Sequence, residues 1–388
     1  MHKYHCLNPI AAVGLDLFSD DYQKVEDLKD AEAVLVRSAA MHDLELPEGL
    51  AAVARAGAGV NNIPLDKMAE KGVVVFNSPG ANANAVKELV VAGLLLASRR
   101  ITDGVEWCKT LAAEPDMEKL VEKNKSRFAG PELSGKTLGV IGLGAIGVLV
   151  ANMGVALGMD VLGYDPYISV DHAWKLSRAV RHSTDFTEVL EKSDYLTLHV
   201  PLMDSTRNTI DEAALRRMKP TAALLNFARG PLVDAAAVRA ALEEGRLRTY
   251  VSDFPSPELI GAKTVVVTPH LGASTPESED NCVRMVARQI DDYLKNGSIV
   301  NSCNYPNCPM GRCVVPRITV LHQNVPNVIG AITQRLSSEG LNIENMVNQS
   351  RGALAYTVVD VSARPSEALI ESLRSLETSY RVRLLMPQ

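Results

Sequence analysis

With 388 residues the chain is long enough for two or three domains, each with its own core. Its 46% hydrophobic and 22% charged residues mark a globular α/β protein and exclude a disordered or fibrous one. The balance of 40 basic against 46 acidic side chains, a net charge of −6, argues against nucleic acid or an anionic membrane as the main partner. No apolar run reaches membrane-spanning length, and no secretory leader follows Met1, so a cytoplasmic protein is expected. Six unevenly placed cysteines do not make a secreted disulfide framework.

Residues 1–98 read as the first part of an α/β substrate-binding domain. A short strand at 4–7 leads to a helix carrying Ala11, Leu15 and Phe18. The apolar strand at 33–36 then delivers Arg37 and Ser38 at its C-terminal end, the edge where open α/β sheets collect ligands. In the segment 53–63 two glycines flank Ala58. Such a loop suits close approach by a substrate and equally an ordinary turn, and the loop alone does not choose. A strand at 73–76 and a turn at 77–80 precede a long helix from Ala83, apolar at Val86, Leu89, Val90, Gly93, Leu94 and Ala97. From 103 to 135 the chain is polar, a solvated passage into the next domain.

Residues 99–273 are expected to form a dinucleotide domain. An apolar strand at 138–141 runs into Gly142, Gly144 and Gly147, spaced as GxGxxG, with a helix at 148–157 behind. The first glycine allows the tight turn, the second lets backbone approach a pyrophosphate, and the third lets helix pack on strand. The helix N-terminus turns its N–H groups to the phosphates. A second strand at 160–164 ends in Asp165, where an acid takes the ribose hydroxyls, and no arginine follows closely. A 2′-phosphate would be repelled there, so NAD is expected as cofactor rather than NADP. Strands at 195–200, 222–225, 249–252 and 264–267 alternate with helices at 185–191, 212–218 and 235–244, and strand after strand ends in polar residues at one edge.

A helix at 276–295, within 274–300, returns to complete the first domain, with Gly297 as its stop. The linker 301–315 carries Cys303, Cys308 and Cys313, close in sequence to His322; their spacing matches no standard zinc pattern, so free thiols and no metal are expected. Residues 316–388 read strand, helix, strand, strand, helix, strand, a ferredoxin-like βαββαβ unit with its hairpin at Arg351 and Gly352. The predicted whole is a Rossmann-type doubly wound parallel sheet domain inserted in a flavodoxin-like α/β domain, plus that C-terminal unit, which suits binding or assembly.

Oxidising an alcohol with NAD requires a base for the hydroxyl proton, a cation for the carboxylate and a group that tunes the base. Imidazole titrates near neutrality. His270 stands after Pro269 and shortly before Gly272 at a strand end, an inconvenient place for a packing histidine, although lone histidines are most often structural. Arg229, between Ala228 and Gly230, offers an unobstructed fork for a carboxylate or for a surface ion pair. Glu258 is a candidate partner for His270. Spacing alone does not bring the three together.

The stretches 55–61, 139–147, 164–166, 199–202, 226–234, 253–258 and 268–275 resemble the D-isomer-specific 2-hydroxyacid dehydrogenases over nearly the full length. Within them they most resemble the branch that oxidises D-3-phosphoglycerate. The resemblance implies Arg229 as the substrate-binding arginine, His270 as acid/base and Glu258 as its partner. It implies Ala145, Ile146 and Asp165 at the pyrophosphate and ribose, and Asp253 at the nicotinamide amide. Val200, Phe227, Ala228, Ala58, Gly272 and Ala273 complete the cofactor cleft. Arg37, Ser38, Gly59, Val60, Asn61 and Asn82 match positions near the substrate and its phosphate. The tail resembles the ACT regulatory domain, with His322, Asn324 and Asn342 matching residues that bind an L-serine effector across a dimer. Two departures stand out: Asn327 where serine-sensing domains have glycine, and Lys87 where many relatives have a small residue. The expected activity is NAD-dependent oxidation of D-3-phosphoglycerate by a homodimer or homotetramer. Alternatives are a glyoxylate or hydroxypyruvate reductase and a non-catalytic NAD(H)-sensing protein.

Overall fold

Strands whose residues are apolar on both faces belong inside parallel sheets covered by helices, and the computed structural model, which describes residues 1–387, places them so. The chain divides into two compact units, residues 1–81 with 276 onward, and Asn82–Thr275.

In the first unit, β1 (His2–Cys6), β2 (Tyr22–Lys24), β3 (Ala33–Val36), β4 (Ala52–Arg55) and β5 (Val74–Phe76) form an all-parallel sheet in the order β2-β1-β3-β4-β5. Every residue of β3 and β5 is buried. The segment read as a loop from residue 53 begins as strand β4 and turns only at Gly57. Its alanines are buried between neighbours on both sides, a packing that alanine does not advertise. The helix expected around residues 11–18 contracts to Ala12–Leu15. The return helix, Pro276–Asn296, buries Val283, Val286, Ile290, Tyr293 and Leu294.

In the second unit β6 (Thr137–Ile141), β7 (Asp160–Tyr164), β8 (Arg181–His182), β9 (Tyr195–Leu198), β10 (Ala223–Asn226), β11 (Thr249–Ser252) and β12 (Val265–Val267) are parallel. Their order, β12-β11-β10-β9-β6-β7-β8, reverses between β6 and β9, the doubly wound pattern with its ligand crevice at that reversal. Helix Ala83–Ser98, expected to close the segment 1–98, lies in this unit instead. Its Val86, Val90, Leu94 and Ala97 share a core with Leu138, Val140 and Phe227. The polar passage beyond it holds helices Ile101–Lys109 and Met117–Asn124, neither with a buried residue.

The tail is the expected βαββαβ unit. Strands β13 (Arg317–Gln323), β14 (Ile343–Arg351), β15 (Leu354–Val361) and β16 (Ser379–Leu385) make an antiparallel sheet in the order β14-β15-β13-β16. One face carries helices Val328–Ser338 and Glu367–Arg374 over Ile318, Val320, Val359 and Val382. The other face is covered along β13 and β15, while the edge strand β14 stays largely exposed. Leu321, Tyr356 and Val358 share one core with Ile290, Tyr293 and Tyr305 of the first unit. The stretch 301–315 is accordingly not a loose linker. Cys303 N donates to Val75 O at 2.7 Å, and the Asn304 side chain bonds Val75 N and Val73 O, sealing the β5 edge.

Candidate active site

Register places the candidate residues of the second unit at one sheet edge. Tyr164, Ile141, Leu198, Asn226, Ser252 and Val267 pair in sequence across six of the seven strands. The next residues along each strand are Asp165, Gly142, His199, Phe227, Asp253 and Thr268. All therefore leave the sheet at its C-terminal edge, where such folds bind ligands.

At the reversal point, Gly142 has φ +90°, and a Cβ there would lie 2.7 Å from the His199 carbonyl oxygen. A Cβ on Gly147 would drive into the Gly142 carbonyl, so both positions require glycine. Gly144 faces open space and caps helix Ala145–Ala156 with no side-chain bond, leaving the first-turn N–H groups for an anion. Asp165 accepts from Leu143 N and Tyr167 N, both at 2.8 Å, bracing the glycine turn from the second strand. This cradle fits a dinucleotide. Beside it, burial pushes the His199 imidazole down to about 3. Its Nε2 lies 3.0 Å from Thr197 Oγ1, and its Nδ1 is buried without a partner.

On the adjoining strands the turns that present Arg229 and His270 are built by side chains that the sequence reading did not single out, or assigned elsewhere. Buried Asn226 donates to Arg229 O at 2.8 Å and accepts from Ala228 N at 3.2 Å, which fixes the turn. Arg229 is exposed, its Nη1 donating to Ala228 O at 2.7 Å. Asp253, expected near the nicotinamide, is 1% exposed, and its carboxylate accepts from Thr268 Oγ1, Leu271 N and Gly272 N at 2.6–2.7 Å. Its carbonyl accepts from His270 N at 3.1 Å. Asp253 thus clamps the turn on which His270 stands exposed with φ +58°. The imidazole packs on Phe254 at 5.0 Å, and Phe254 in turn lies against Gly230, linking the His270 and Arg229 turns. Glu258 is not joined to that pair. Its side chain is exposed with no hydrogen bond to His270 among the described residues, while its carbonyl accepts from Arg239 Nη1. Lys87 bonds Asn84 of its own helix at 2.6 Å.

In the first unit Arg37 and Ser38 leave β3 exposed, and the 37–39 backbone is held by Asn8, whose Oδ1 accepts from three successive N–H groups at 3.0–3.1 Å. Arg55, at the end of β4, donates from Nε to Arg37 O at 3.1 Å and lies against Gly57. The loop bearing Ala58, Gly59, Val60 and Asn61 is tied down by Asn77, which donates to Ala58 O, and by His42, which lies 3.0 Å from Asn61 O. The Arg37 guanidinium donates to the Glu279 carboxylate. Asn8, Arg55 and Glu279 were not anticipated. For Arg55 the signal was present, since it ends a strand before a glycine loop as Arg37 ends its neighbour.

The three tail residues expected at an effector do not converge within one chain. His322 is buried, its Nε2 2.8 Å from Thr357 Oγ1 and its Nδ1 2.7 Å from Gln323 O. Asn324 donates to Gly352 O, and Asn342, at the opposite end of the sheet, bonds Glu344. Asn327 has φ +70°, the conformation glycine supplies and asparagine tolerates, which accounts for that substitution. Among the described residues no three candidate ligands converge as a metal site requires, and no helix is long and apolar enough to cross a membrane.

The family described as D-isomer specific 2-hydroxyacid dehydrogenase, NAD binding domain, matches residues 91–272. The chain is 32% identical to the D-3-phosphoglycerate dehydrogenase of Escherichia coli over 94% of its own length and 90% of that protein. It is 38% identical to the D-3-phosphoglycerate dehydrogenase of Methanocaldococcus jannaschii over 74% of its own length, but spans only 54% of that longer relative. Among solved structures, NAD+-bound 3-phosphoglycerate dehydrogenase from Entamoeba histolytica is similar with a TM-score of 0.60 at 25% identity, over 78% of this chain and 98% of that one. With a glycine cradle for NAD and a clamped histidine turn on the same sheet edge, the chain belongs to the D-isomer-specific 2-hydroxyacid dehydrogenase family.

Proposed function

We propose that the chain catalyses the NAD-dependent oxidation of D-3-phosphoglycerate to 3-phosphohydroxypyruvate, the first step of L-serine biosynthesis. The chemistry rests on one observation above the others: an exposed His270 held in a left-handed conformation by the buried Asp253, on the sheet edge that carries the dinucleotide cradle. Bound NAD supplies the hydride acceptor. His270 takes the 2-hydroxyl proton, and Arg229 swings from its own backbone to hold the carboxylate with two parallel bonds. Glu258 enters as the carboxylate that favours the protonated imidazole; its assignment rests on the resemblance alone. Arg37 and Ser38, with Asn61 and Asn82, are assigned to the substrate and its phosphate on the same ground.

The names of the relatives support the phosphorylated substrate. A serine-binding role for the ACT-like tail, and assembly as a homodimer or homotetramer, belong to the same reading. Six free thiols suit a cytoplasmic setting. The second reading, reduction of glyoxylate or hydroxypyruvate, is favoured by a specific contact, since Arg37 already carries a counter-ion in Glu279. NADH oxidation with 3-phosphohydroxypyruvate, hydroxypyruvate and glyoxylate at equal concentration separates them. A preference of about several hundredfold for the phosphorylated acid is expected, of the order that desolvated charge pairs provide. Equal or faster rates with the unphosphorylated acids would give the second reading.

A further inference from the structure

The Arg37–Glu279 pair is placed by two separate elements. Arg37 ends β3, and its backbone is fixed by Asn8 and by Arg55. Glu279 projects from the first turn of helix Pro276–Asn296. Both line one shallow crevice, with Ile10, Ala11, Ala56 and Val283 as its apolar walls. Arg55 belongs to the same cluster, because its Nε donates to the Arg37 carbonyl at 3.1 Å. Two cations and one carboxylate thus share a place assigned above to an anionic group of the substrate.

An acidic residue in a first turn is ordinarily explained by the helix dipole. Glu277 in the same turn serves that purpose equally. Glu279 differs in engaging a cation of another element. Its side chain is 40% exposed and that of Arg37 48%, so water and salt weaken the pair and an incoming anion can compete for it. A carboxylate there also repels a phosphate dianion and leaves a neutral hydroxymethyl group unaffected.

We infer that Glu279 is a specificity-determining residue that competes with the phosphate of the substrate for Arg37, setting how strongly phosphorylated 2-hydroxy acids are preferred over unphosphorylated ones. This rests on the assignment of Arg37 to the phosphate. Loss of the competitor strengthens binding of the phosphorylated acid alone. The pair closes again when that group is absent, which lets unphosphorylated acids bind without an unpaired cation beside them.

The test is steady-state kinetics of the full chain with NADH, comparing 3-phosphohydroxypyruvate with hydroxypyruvate. Glu279→Gln should lower KM for the phosphorylated acid about threefold to tenfold, the scale of an exposed ion pair plus one removed repulsion. It should leave kcat, and KM for hydroxypyruvate, within about twofold. Glu279→Asp should restore the wild-type KM ratio. In an Arg37→Gln background the Glu279→Gln effect should vanish, because the two act through one contact. Calorimetric titration with inorganic phosphate, which needs no turnover, should show the same tightening and the same dependence on Arg37. A rise in KM for the phosphorylated acid in Glu279→Gln, an equal change for both acids, or an effect that persists without Arg37 would overturn the inference. The wild-type ratio of rates judges the proposed substrate; the change in that ratio on substitution judges Glu279.

Discussion

His270 occupies a backbone conformation that costs a non-glycine residue about 1–3 kcal/mol and persists only where its surroundings over-determine it. Three hydrogen bonds to the Asp253 carboxylate and one to its carbonyl supply that constraint. The nearby His199 shows the opposite use of an imidazole. Held down to about 3 by burial, it is neutral in the folded protein, whereas in the unfolded chain it titrates near 6.5. Below 6.5 the unfolded chain therefore binds a proton that the folded one refuses. Stability present above that pH is lost as pH falls towards about 3, with a limiting slope of about 1.4 kcal/mol per pH unit. His199→Asn cannot take up that proton, so its melting temperature should fall less than that of the wild type between pH 7 and pH 5. Parallel falls would show that His199 is not the group responsible.

Among the elements, the glycine turn and the strand ending in Asp165 act together, since the carboxylate accepts from Leu143 N within the turn. Asp165→Ala removes both that brace and the charge expected to repel a 2′-phosphate. The ratio of kcat/KM for NAD over NADP should fall by about tenfold, roughly one lost charge-assisted contact; an unchanged ratio would remove Asp165 from its assigned place. This turn was legible in the sequence because its reasons are local: an apolar run, glycines at fixed offsets and an acid one strand later. The same holds for β3, β7 and β11, recovered at their observed bounds. Strand β4 was not legible. Its alanines owe their strand conformation to β3 and β5 on either side, and no local pattern records that. Nor did spacing disclose that Asp253 faces Gly272, or that Glu279 meets Arg37, 242 positions away.

At the scale of the molecule, the order of strands in the tail was readable but its attachment was not, because the attachment joins residues far apart in the chain. Arg317 grips Asp360 with two bonds, Nε at 2.6 Å and Nη2 at 3.0 Å, and its Nη1 reaches Asn296 O and Gly311 O. Arg383 caps the Tyr293 and Leu294 carbonyls, Arg381 bonds Gly72 O, and Tyr356 donates to Gly297 O at 2.7 Å. These contacts fuse the tail to the return helix and to the first sheet. Asp360→Ala would strand a guanidinium whose side chain is only 4% exposed, a change expected to cost about 3–5 kcal/mol. Hydrogen exchange should then rise together in β13, β15 and β5. Exchange confined to the tail would show a separately folding domain.

The central claim, that this family member is an enzyme working through His270, is tested most directly by His270→Ala. Turnover of the preferred keto acid with NADH should fall by about 10²–10⁴-fold, the usual worth of a positioned acid/base. NADH affinity, read from fluorescence titration, should stay within about threefold, because the dinucleotide cradle at Gly142–Gly147 is formed by other strands. Turnover at the wild-type rate in that variant would contradict the account.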